Sequence, residues 1–470
     1  MLDLINNLIN AVSGVLYQPW CVPLILLAGG IIMTVGTKFI QVRLFAESFK
    51  VIMEKPKNEN GISSFGALMV STASRVGTGN IIGVATAICA GGAGAVFWMW
   101  VTAVIGGASA FVESTLAQIY KKKNPDGTSY GGPSFYMQDA LGQRWLGVLF
   151  SVLIVFTYAV GYNMLCAFNL QDTFSVFNFY SESTPVVIGV ILAVLFGIIV
   201  IGGAKRLVKV TGVMVPVMGV IYVVVAAIVL IINAKQIPVM FGMIFESAFD
   251  FQAIFGGFVG SCVYNGIKRG LYSNEAGMGS APNAAATADV SHPAKQGLVQ
   301  MLSVFIDTLL ICTATAFMCL SSGVAFDAEM GGAKYVQTAM GENLGAFGPI
   351  FLCVAMSLFA FTTLIGNYAY CEGCLRFILN REVSKTGILV FRIIATILVF
   401  VGAIASAGTV WNLADMTQGL MVIVNVPVIL ILLKPAIACL EDYVAQKKEG
   451  KDPEFNAAKA GIKGDLDFWK

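Results

Sequence analysis

The sequence predicts an all-α polytopic membrane protein with about eleven transmembrane helices. Three observations predict this class: 57% of the 470 residues are hydrophobic, only 12% are charged, and the mean hydropathy is +0.80. Soluble chains carry about 25% charged residues, roughly twice this share. Because a spanning helix takes about 20 apolar residues, a chain of this length accommodates about ten to twelve spans joined by short loops.

The composition also argues against several classes of function. Lys and Arg number 29 and Asp and Glu 27, and this balance leaves no bulk positive charge to bind nucleic acid. The single histidine, His292, rules out the His-rich metal and catalytic sites of many enzymes. The phosphate-loop pattern G-x-x-x-x-G-K-[ST] is missing from the sequence. We therefore expect a protein that is not an enzyme and that uses neither ATP nor nucleic acid.

Apolar runs separated by polar loops give the order of the predicted spans. They cover residues 20–46, 64–90, 94–120, 145–174, 184–203, 208–233, 251–290, 297–321, 346–374, 386–406 and 410–433. The second and the seventh runs carry Gly, Ser, Thr and Asn at mid-depth, where a helix that faces lipid is apolar throughout. We therefore expect two of the helices to be broken inside the membrane.

The distribution of basic residues predicts the orientation. Lys and Arg are concentrated in the loops that follow odd-numbered spans, whereas the loops on the other side hold only Lys235 and Lys334. Positive loops remain in the cytoplasm. The sequence thus predicts a multi-pass protein of the cell membrane with its N-terminus outside and its C-terminus in the cytoplasm.

The spans also predict an internal symmetry. When the first span is set aside, the other ten divide into two sets of five that run in opposite directions, and each set opens with a polar-interrupted helix. The predicted organisation is an extra N-terminal transmembrane helix (1–50), a first inverted repeat (60–235), a second inverted repeat (250–435) and a cytoplasmic tail (436–470). We expect the tail to be a short helix followed by a loose end. Interrupted helices at matching positions of opposed repeats indicate the binding site of a transporter. The alternative, glycines that serve close helix packing, does not account for the Asn, Thr and Ser beside them.

In the second span the run from Ser71 to Asn80 lies about half-way through the membrane. Gly77 and Gly79 lower the cost of leaving helical dihedral angles. Unwinding here frees backbone N–H groups, which suit a carboxylate at a helix N-terminus. It also frees carbonyl oxygens, which suit a hard cation such as sodium.

The seventh span is polar from Asn265 to Asn283, and Gly266 and Gly277 are both candidates for its break. Its charged residues Lys268, Arg269 and Glu275 cost a few kcal/mol each at the bilayer centre unless they are paired or hydrated. One interpretation is a gate or ion-pair network, and the other places Lys268 and Arg269 near the inner interface, where their charges reach water. The network would link one of two arginines to one of three carboxylates: Arg75 or Arg269 with Glu275, Glu113 or Asp307.

The two polar blocks resemble the alanine or glycine:cation symporter family, whose members are also called amino acid carrier proteins. The first block is the run from Ser71 to Asn80 followed by 91–100, and the second extends from Gly266 to Asn283 and on to His292-Pro293 and 295–297. The loop Tyr130-Gly131-Gly132-Pro133 also fits, and the resemblance covers residues from about 20 to 440. It implies a LeuT-type fold that moves a small neutral amino acid, alanine or glycine, with sodium by alternating access.

The resemblance also implies a site for the co-transported sodium ion. The ligands would be three backbone carbonyls and two hydroxyls: Ala73, Val76 and Phe359, and Thr362 and Thr363. Adjacent hydroxyls on an apolar helix do supply neutral oxygens, although Thr side chains also bond back to their own helix. Arg75 departs from this picture, because its charge would repel sodium unless it points away or is paired.

The implied substrate site lies beside the sodium site. The carboxylate of the amino acid would meet backbone amides of the second span, and its ammonium group would meet carbonyls freed in the seventh. Gln171 is the side chain we expect at the polar ends of the substrate, unless it lies at the outer interface near Ser181. The predicted substrate-binding residues are Thr78, Gly79, Asn80, Gln171, Asn274, Gly277 and Asn367.

Rival functions remain open at this point. A proton-coupled amino-acid symporter would titrate a carboxylate within the membrane, namely Glu113, Glu275 or Asp307. An intramembrane enzyme lacks support, because a nucleophile such as Ser74 has no base near it in the sequence. A channel is less compatible with paired broken helices than a carrier with an occluding site. The expected partners are thus a small neutral amino acid, sodium and the lipid bilayer.

Overall fold

The computed structural model describes residues 2–58, 61–258, 260–464 and 466–469, and this part of the chain is helical apart from one hairpin. The helices as far as residue 232 are α1 (Leu2–Leu16), α2 (Val22–Gly36), α3 (Ile40–Arg43), α4 (Phe45–Ile52), α5 (Ser64–Arg75), α6 (Val84–Gly91), α7 (Gly94–Ile119), α8 (Pro133–Asp139), α9 (Arg144–Val155), α10 (Asn163–Thr173), α11 (Thr184–Ile201) and α12 (Gly203–Ile232). The hairpin pairs β1 (Lys122–Lys123) with β2 (Ser129–Tyr130) in antiparallel register.

The described second half of the chain is also helical. Its helices are α13 (Ile237–Ala248), α14 (Phe251–Gly256), α15 (Cys262–Asn274), α16 (Ala281–Ala285), α17 (Pro293–Val304), α18 (Thr313–Leu320), α19 (Gly332–Leu344), α20 (Phe347–Leu379), α21 (Lys385–Ala403), α22 (Ala407–Ile431) and α23 (Leu433–Lys448). Short π-helical segments precede α6, α10 and α18, and short 3₁₀ turns follow α10 and α12.

Eight helices in the described ranges are long and apolar enough to cross a membrane. They are Gly94–Ile119, Arg144–Val176, Thr184–Ile201, Arg206–Ile232, Pro293–Leu320, Phe347–Leu379, Lys385–Ala403 and Ala407–Ile431. The apolar helices Val22–Gly36 and Gly79–Gly91 are shorter. The all-α membrane class is confirmed, and interruptions explain why the other predicted spans do not appear as single long helices.

The first predicted span, 20–46, was expected to be one helix, and this was wrong. Helix α2 ends at Gly36, and Lys38 and Phe39 both have φ of 56°, a left-handed conformation that a helix cannot continue through. The chain then turns into the short helices α3 and α4.

The second predicted span is broken. Helix α5 ends at Arg75, Val76 leaves helical geometry with ψ of 88°, and a π-helical turn begins at Gly79. Gly77 is required here because a side chain at this position would collide with the Thr363 side chain of α20. The close approach of α20 thus depends on the glycine.

The seventh predicted span is broken as well, between α15 and α16. Glu275, Gly277 and Gly279 have φ of 56°, 84° and 80°, which are left-handed values. Of the two candidate positions, Gly277 lies in the break. Gly266 lies inside α15, where a Cβ would come within 2.6 Å of the Ala95 carbonyl oxygen. Gly266 therefore serves close packing on α7, and that part of the expectation was wrong.

The predicted helical start of the tail is present, but the loose end is not. After α23 the side chains of Phe455, Ile462, Leu466 and Trp469 are buried against the rest of the protein. Residues 452–464 and 466–469, called the strap below, therefore form an ordered non-helical segment that packs on the rest of the protein. Aromatic and aliphatic side chains in a segment that is otherwise polar are the reason it packs.

Candidate functional site

The first break is stabilised by its own Asn80. The Asn80 Oδ1 atom accepts a hydrogen bond of 2.7 Å from the Gly77 N–H, so one backbone donor freed by the break keeps a partner. The Asn80 Nδ2 atom donates to Asp307 Oδ1 at 2.7 Å, and Ser273 donates to Asp307 Oδ2 at 2.8 Å. Asp307 therefore links the two broken helices through their side chains.

Helix α20 packs directly against this break. Thr363 lies against Gly77, and Gly366, about one turn later, lies against the backbone of Ala73 and Ser74. Thr363 is 5% exposed, and its Oγ1 atom has no hydrogen-bond partner within the described part of the chain. A buried hydroxyl without a partner is rare in folded proteins, and a bound ion is one of the accepted explanations.

Thr362, the other predicted hydroxyl ligand, is arranged differently. Its Oγ1 atom donates to the carbonyls of Leu358 (3.0 Å) and Phe359 (3.1 Å) on its own helix. It also lies 3.4 Å from the sulfur of Met218 on α12. The Thr362 hydroxyl therefore bonds back to its own helix, which was the alternative expected for this residue type. Its proton is in use, but its lone pairs can still bind a cation.

The residues present suit a sodium ion between α5 and α20. Ala73, Val76 and Phe359 are all buried on these two elements, and backbone carbonyls and hydroxyls are neutral oxygen donors of the hard type. Arg75 does not interfere, because its Nη1 atom is 3.3 Å from the carbonyl oxygen of Gln300 on α17. The guanidinium therefore points to a different helix from the one that carries Thr363.

A second set of contacts joins the two breaks at Glu275. The Ser74 hydroxyl donates to Glu275 Oε1 at 2.8 Å, and the Ser280 hydroxyl donates to Glu275 Oε2 at 2.7 Å. Asn367 belongs to the same cluster, since its Oδ1 atom is 2.6 Å from the Ser74 hydroxyl. The structure therefore brings Asn367 to the first break, and its role in binding the substrate stays a prediction.

The carbonyl of Gly277 already has one partner within the protein. It accepts a hydrogen bond of 3.0 Å from Asn425 Nδ2 on α22. The same amide donates to Glu113 Oε2 at 2.9 Å, and Glu113 also accepts the Gly279 N–H at 3.1 Å. Glu113 and Asn425 thus stabilise the second break, and the role of Gly277 in binding the substrate stays a prediction.

Thr78 faces α10, the helix that carries Gln171, but the side chain that contacts it is Asn169. Asn169 Nδ2 donates to Thr78 Oγ1 at 3.2 Å. Gln171 accepts a 2.6 Å hydrogen bond from Tyr180 instead. Two positions along an α-helix differ by about 200°, so one of these side chains must point away when the other faces the break. The structure therefore brings Asn169 and not Gln171 to Thr78, and Gln171 contacts Tyr180, next to Ser181, as its alternative expected.

Asn274 is also turned away from the first break. Its Oδ1 atom accepts the Ala276 N–H at 3.0 Å, and it lines a small cavity with residues of α2 and α7. Its neighbours Tyr272 and Ser273 lie against Gly79 instead. Tyr272 reaches Thr78 through its hydroxyl at 3.3 Å. The structure therefore brings Tyr272 and Ser273 to the first break, whereas Asn274 as a substrate residue stays a prediction.

The end of the protein opposite α23 is closed by ion pairs. Lys268 Nζ is 2.7 Å from Asp415 Oδ2, and Arg269 Nη1 is 3.0 Å from Asp415 Oδ1. All three side chains are buried, and the Arg269 guanidinium lies over the Trp411 ring at 4.2 Å. The predicted ion-pair network thus exists, but its carboxylate is Asp415 on α22, and the proposed partners of Arg269 were wrong.

The end of the protein that carries α23 is open. A cavity of about 590 Å³ lies between the two broken helices on one side and α20 and α21 on the other. Asn283 and Thr287 form one wall, and Tyr370, Glu372 and Arg392 contribute to the other. Tyr370 is close to the breaks, since its hydroxyl is 3.5 Å from the Ser71 carbonyl oxygen. Tyr370 therefore both lines this open cavity and contacts the first broken helix.

Sequence reasoning missed four residues at this site: Ser74 in its hydrogen-bonding role, Asn169, Tyr272 and Asp415. Asp415 carried a usable signal, because it is the only carboxylate in the apolar run 410–433. Asn169 and Gln171 are both polar side chains in the same apolar run, so the sequence favoured them equally. Only the rotation of α10 about its axis determines which of the two faces the break.

Comparisons with known proteins agree with this geometry. A family profile described as "Sodium:alanine symporter family" matches residues 2–457. The amino-acid carrier protein AlsT of Bacillus subtilis is 44% identical over 457 residues, which cover 96% of this chain and 95% of AlsT. The putative sodium/proton-dependent alanine carrier protein YrbD of the same organism is 42% identical over 471 residues, covering 96% of this chain and 95% of YrbD.

A solved structure shows the same fold. The crystal structure of MhsT in complex with L-phenylalanine superposes with a TM-score of 0.58 at 15% sequence identity. The match covers 82% of this chain and 93% of MhsT. The predicted LeuT-type fold is thereby confirmed.

Proposed function

Because the chain belongs to the sodium:alanine symporter family, we propose that it couples the entry of sodium to the uptake of a small neutral amino acid, alanine or glycine. Family membership makes the protein a multi-pass membrane transporter for cation-coupled amino-acid symport, and not an enzyme. The proposal concerns the ion, the substrate and the residues that bind them.

The observation that carries the proposal is the unpartnered, buried Oγ1 atom of Thr363 beside the break at Gly77. We place sodium there, with the carbonyls of Ala73, Val76 and Phe359 as further ligands. Thr362 contributes through a lone pair of its hydroxyl, whose proton is held by its own helix. Sodium bound in this way stabilises the unwound turn on which the substrate also depends.

The substrate lies next to this turn. The π-helical segment that begins at Gly79 marks the start of a helix, where backbone N–H groups suit a carboxylate. The Asn80 N–H already donates to the Gly77 carbonyl at 3.2 Å, so a contact of this N–H with the substrate would replace that bond. Thr78, Gly79 and Asn80 keep their predicted role, and Asn169 replaces Gln171 as the polar side chain at this site. The Tyr272 ring lies so close to Gly79 that even a Cβ at this position would come within 2.9 Å of it, which disfavours a long substrate side chain on this side of the turn.

Alternating access follows from the two ends of the protein. The buried pairs of Lys268 and Arg269 with Asp415 close one end, while the cavity at the α23 end is open. The excess of basic residues on the loops at the α23 end places that end in the cytoplasm, with the N-terminus outside. The described arrangement then corresponds to a carrier that is open to the cytoplasm. Because sodium and substrate stabilise the same break, each raises the affinity of the other.

The test is uptake of labelled alanine and glycine into proteoliposomes under imposed sodium, potassium or proton gradients. The proposal expects accumulation only when a sodium gradient is present. Accumulation driven by a pH gradient without sodium contradicts it.

Proton coupling is the second candidate, and the buried carboxyls favour it. Glu113, Glu275 and Asp307 are all fully buried, and within the described residues none has an Arg or Lys nitrogen within 4.0 Å. A carboxylate without such an ion pair is costly to keep charged inside a membrane, and protonation of one of the three removes that charge. The name of YrbD mentions both ions.

A further inference from the structure

The described contacts of the strap are concentrated on one wall of the cavity and the helices behind it, and this distribution suggests what the strap does. We propose that the strap clamps the α23-side ends of the broken helices and of α7 and α17 together, so that they move as one body during the cycle. The inference rests on the transport function proposed above. It concerns how the cytoplasmic wall of the cavity is moved.

The beginning of the strap holds the segment between α16 and α17. Asp452 pairs with the buried Lys295 of α17 at 2.8 Å. The Ser291 hydroxyl donates to the Pro453 carbonyl at 2.8 Å, and the Phe455 N–H donates to the Ser291 carbonyl at 3.0 Å. The strap thus adds backbone and side-chain bonds to a segment that has no helical structure of its own.

The end of the strap holds the end of α7. Trp469 Nε1 donates to the Gln118 carbonyl at 2.7 Å, and Asp467 accepts the Lys123 N–H at 3.0 Å. The Lys121 ammonium lies over the rings of Phe468 and Trp469 at 4.6 and 5.2 Å. Lys121 is 1% exposed, and its burial lowers its pKa to about 7, opposed by the charge of Asp289.

The two attachments are joined within the strap. The rings of Phe455 and Trp469 are 5.7 Å apart in an edge-to-face contact, and the Ala457 N–H donates to the Trp469 carbonyl at 3.0 Å. His292, just before α17, packs its ring on Phe455 at 5.0 Å. A ring of contacts therefore closes from α17 through the strap to α7.

The wall that the strap supports is also the wall of the cavity. Thr287 faces the cavity, while the carbonyl of its neighbour Ala288 accepts hydrogen bonds from Gln118 (3.0 Å) and Lys121 (2.9 Å) behind it. The loop before α5 joins the same assembly through an ion pair of 2.6 Å between Lys57 and Glu454. The contacts of the strap that the structure describes go to these elements, to α8 and to α23, and not to α20 or α21, which form the opposite wall.

A clamp in this position has a mechanical consequence. Closing the cavity requires the wall at Thr287 to approach α20. With the strap in place, α7 and α17 move together with this wall, so the ends of α7 and α17 that lie away from α23 move as well. Without it, the wall can open and close alone, so sodium can leave without substrate and the coupling of the two fluxes falls.

The experiment compares three purified proteins in proteoliposomes with the wild type. The first ends at Lys451, the second is Phe455→Ala/Trp469→Ala in the full chain, and the third, a matched control, is Lys459→Ala, since Lys459 is exposed on the strap. Sodium-driven alanine accumulation, sodium flux and sodium-dependent alanine binding are measured, with hydrogen exchange of residues 286–295.

We expect accumulation to fall about fivefold in the first two variants, with more sodium moved per alanine, faster exchange in 286–295 and binding retained. Lys459→Ala should match the wild type. If the shortened chain does not fold, the double variant supplies the comparison. Unchanged coupling in a folded variant overturns the clamp. Failure of the wild type to bind alanine with sodium overturns the proposed function instead.

Discussion

Thr363 and Thr362 are adjacent hydroxyls on one helix, and the structure predicts that they contribute unequally to sodium binding. Replacing Thr363 with Val keeps the shape of the side chain and removes an oxygen that has no other partner among the described residues. Replacing Thr362 with Val removes an oxygen that is bonded to Leu358 and Phe359.

The expected size of the effect follows from the state of each hydroxyl. An interaction between a polar oxygen and a charged partner contributes about 1.5–3 kcal/mol. Thr363→Val should therefore raise the sodium concentration for half-maximal uptake by roughly 10- to 150-fold, since about 1.4 kcal/mol is tenfold. For Thr362→Val the change should stay below about fivefold, because its hydroxyl already has protein partners.

The assay is alanine uptake into proteoliposomes as a function of external sodium, with choline replacing the cation. Thr363→Ser is the matched control, because it keeps the hydroxyl and should stay close to the wild type. Thermal unfolding of each detergent-purified variant checks that the fold is intact. Equal sodium dependence of Thr363→Val and Thr362→Val, with both proteins folded, would refute the assignment of Thr363.

Three further outcomes are expected. Asp415→Asn leaves Lys268 and Arg269 as buried cations without a charged partner, so the midpoint of thermal unfolding should fall by an amount consistent with about 3–5 kcal/mol. The midpoint of Asp415→Glu should fall less, and an unchanged midpoint in Asp415→Asn would contradict the burial of the ion pairs. Glu275→Gln keeps an acceptor for the Ser74 hydroxyl and should retain sodium-driven uptake, with the sodium concentration for half-maximal uptake changed by less than about tenfold. Loss of all gradient-driven uptake in a folded Glu275→Gln protein would favour proton coupling instead. Burial lowers the pKa of Lys121 to about 7, so between pH 7 and 10 the unfolded chain binds this proton more tightly and the protein becomes more stable as the pH rises. The midpoint of thermal unfolding should therefore rise less between pH 7 and 9 in Lys121→Met than in the wild type. Equal rises in the two proteins would contradict this.

The breaks in the helices could be predicted from the sequence because they depend on local properties. Glycines beside Ser, Thr and Asn in an apolar run have few explanations other than an unwound turn, and Gly77 and Gly277 both lie in such turns. Gly266 shows the limit of the argument. Its sequence surroundings resemble those of Gly277, but it is a packing residue, and only the position of α7 distinguishes the two.

The partners of side chains could not be predicted because they depend on how the helices are rotated and placed. Asn169 and Gln171 lie on opposite faces of α10, and nothing in the order of residues says which face meets Thr78. Arg269 was correctly expected to need a carboxylate, but Asp415 is 146 residues away in the sequence. The strap was missed for a related reason, since a polar segment with five scattered large apolar residues packs only when a groove of matching shape exists.

The bond from the Gly77 N–H to the Asn80 side chain has a consequence for the empty carrier. A transporter has to return without cargo, and during that return no ligand is present to keep the turn from winding back into a regular helix. Here the chain supplies its own substitute for one of those ligand contacts. The receptive shape is therefore preorganised, and an arriving amino acid meets a turn that is already open and does not spend binding energy on melting a helix.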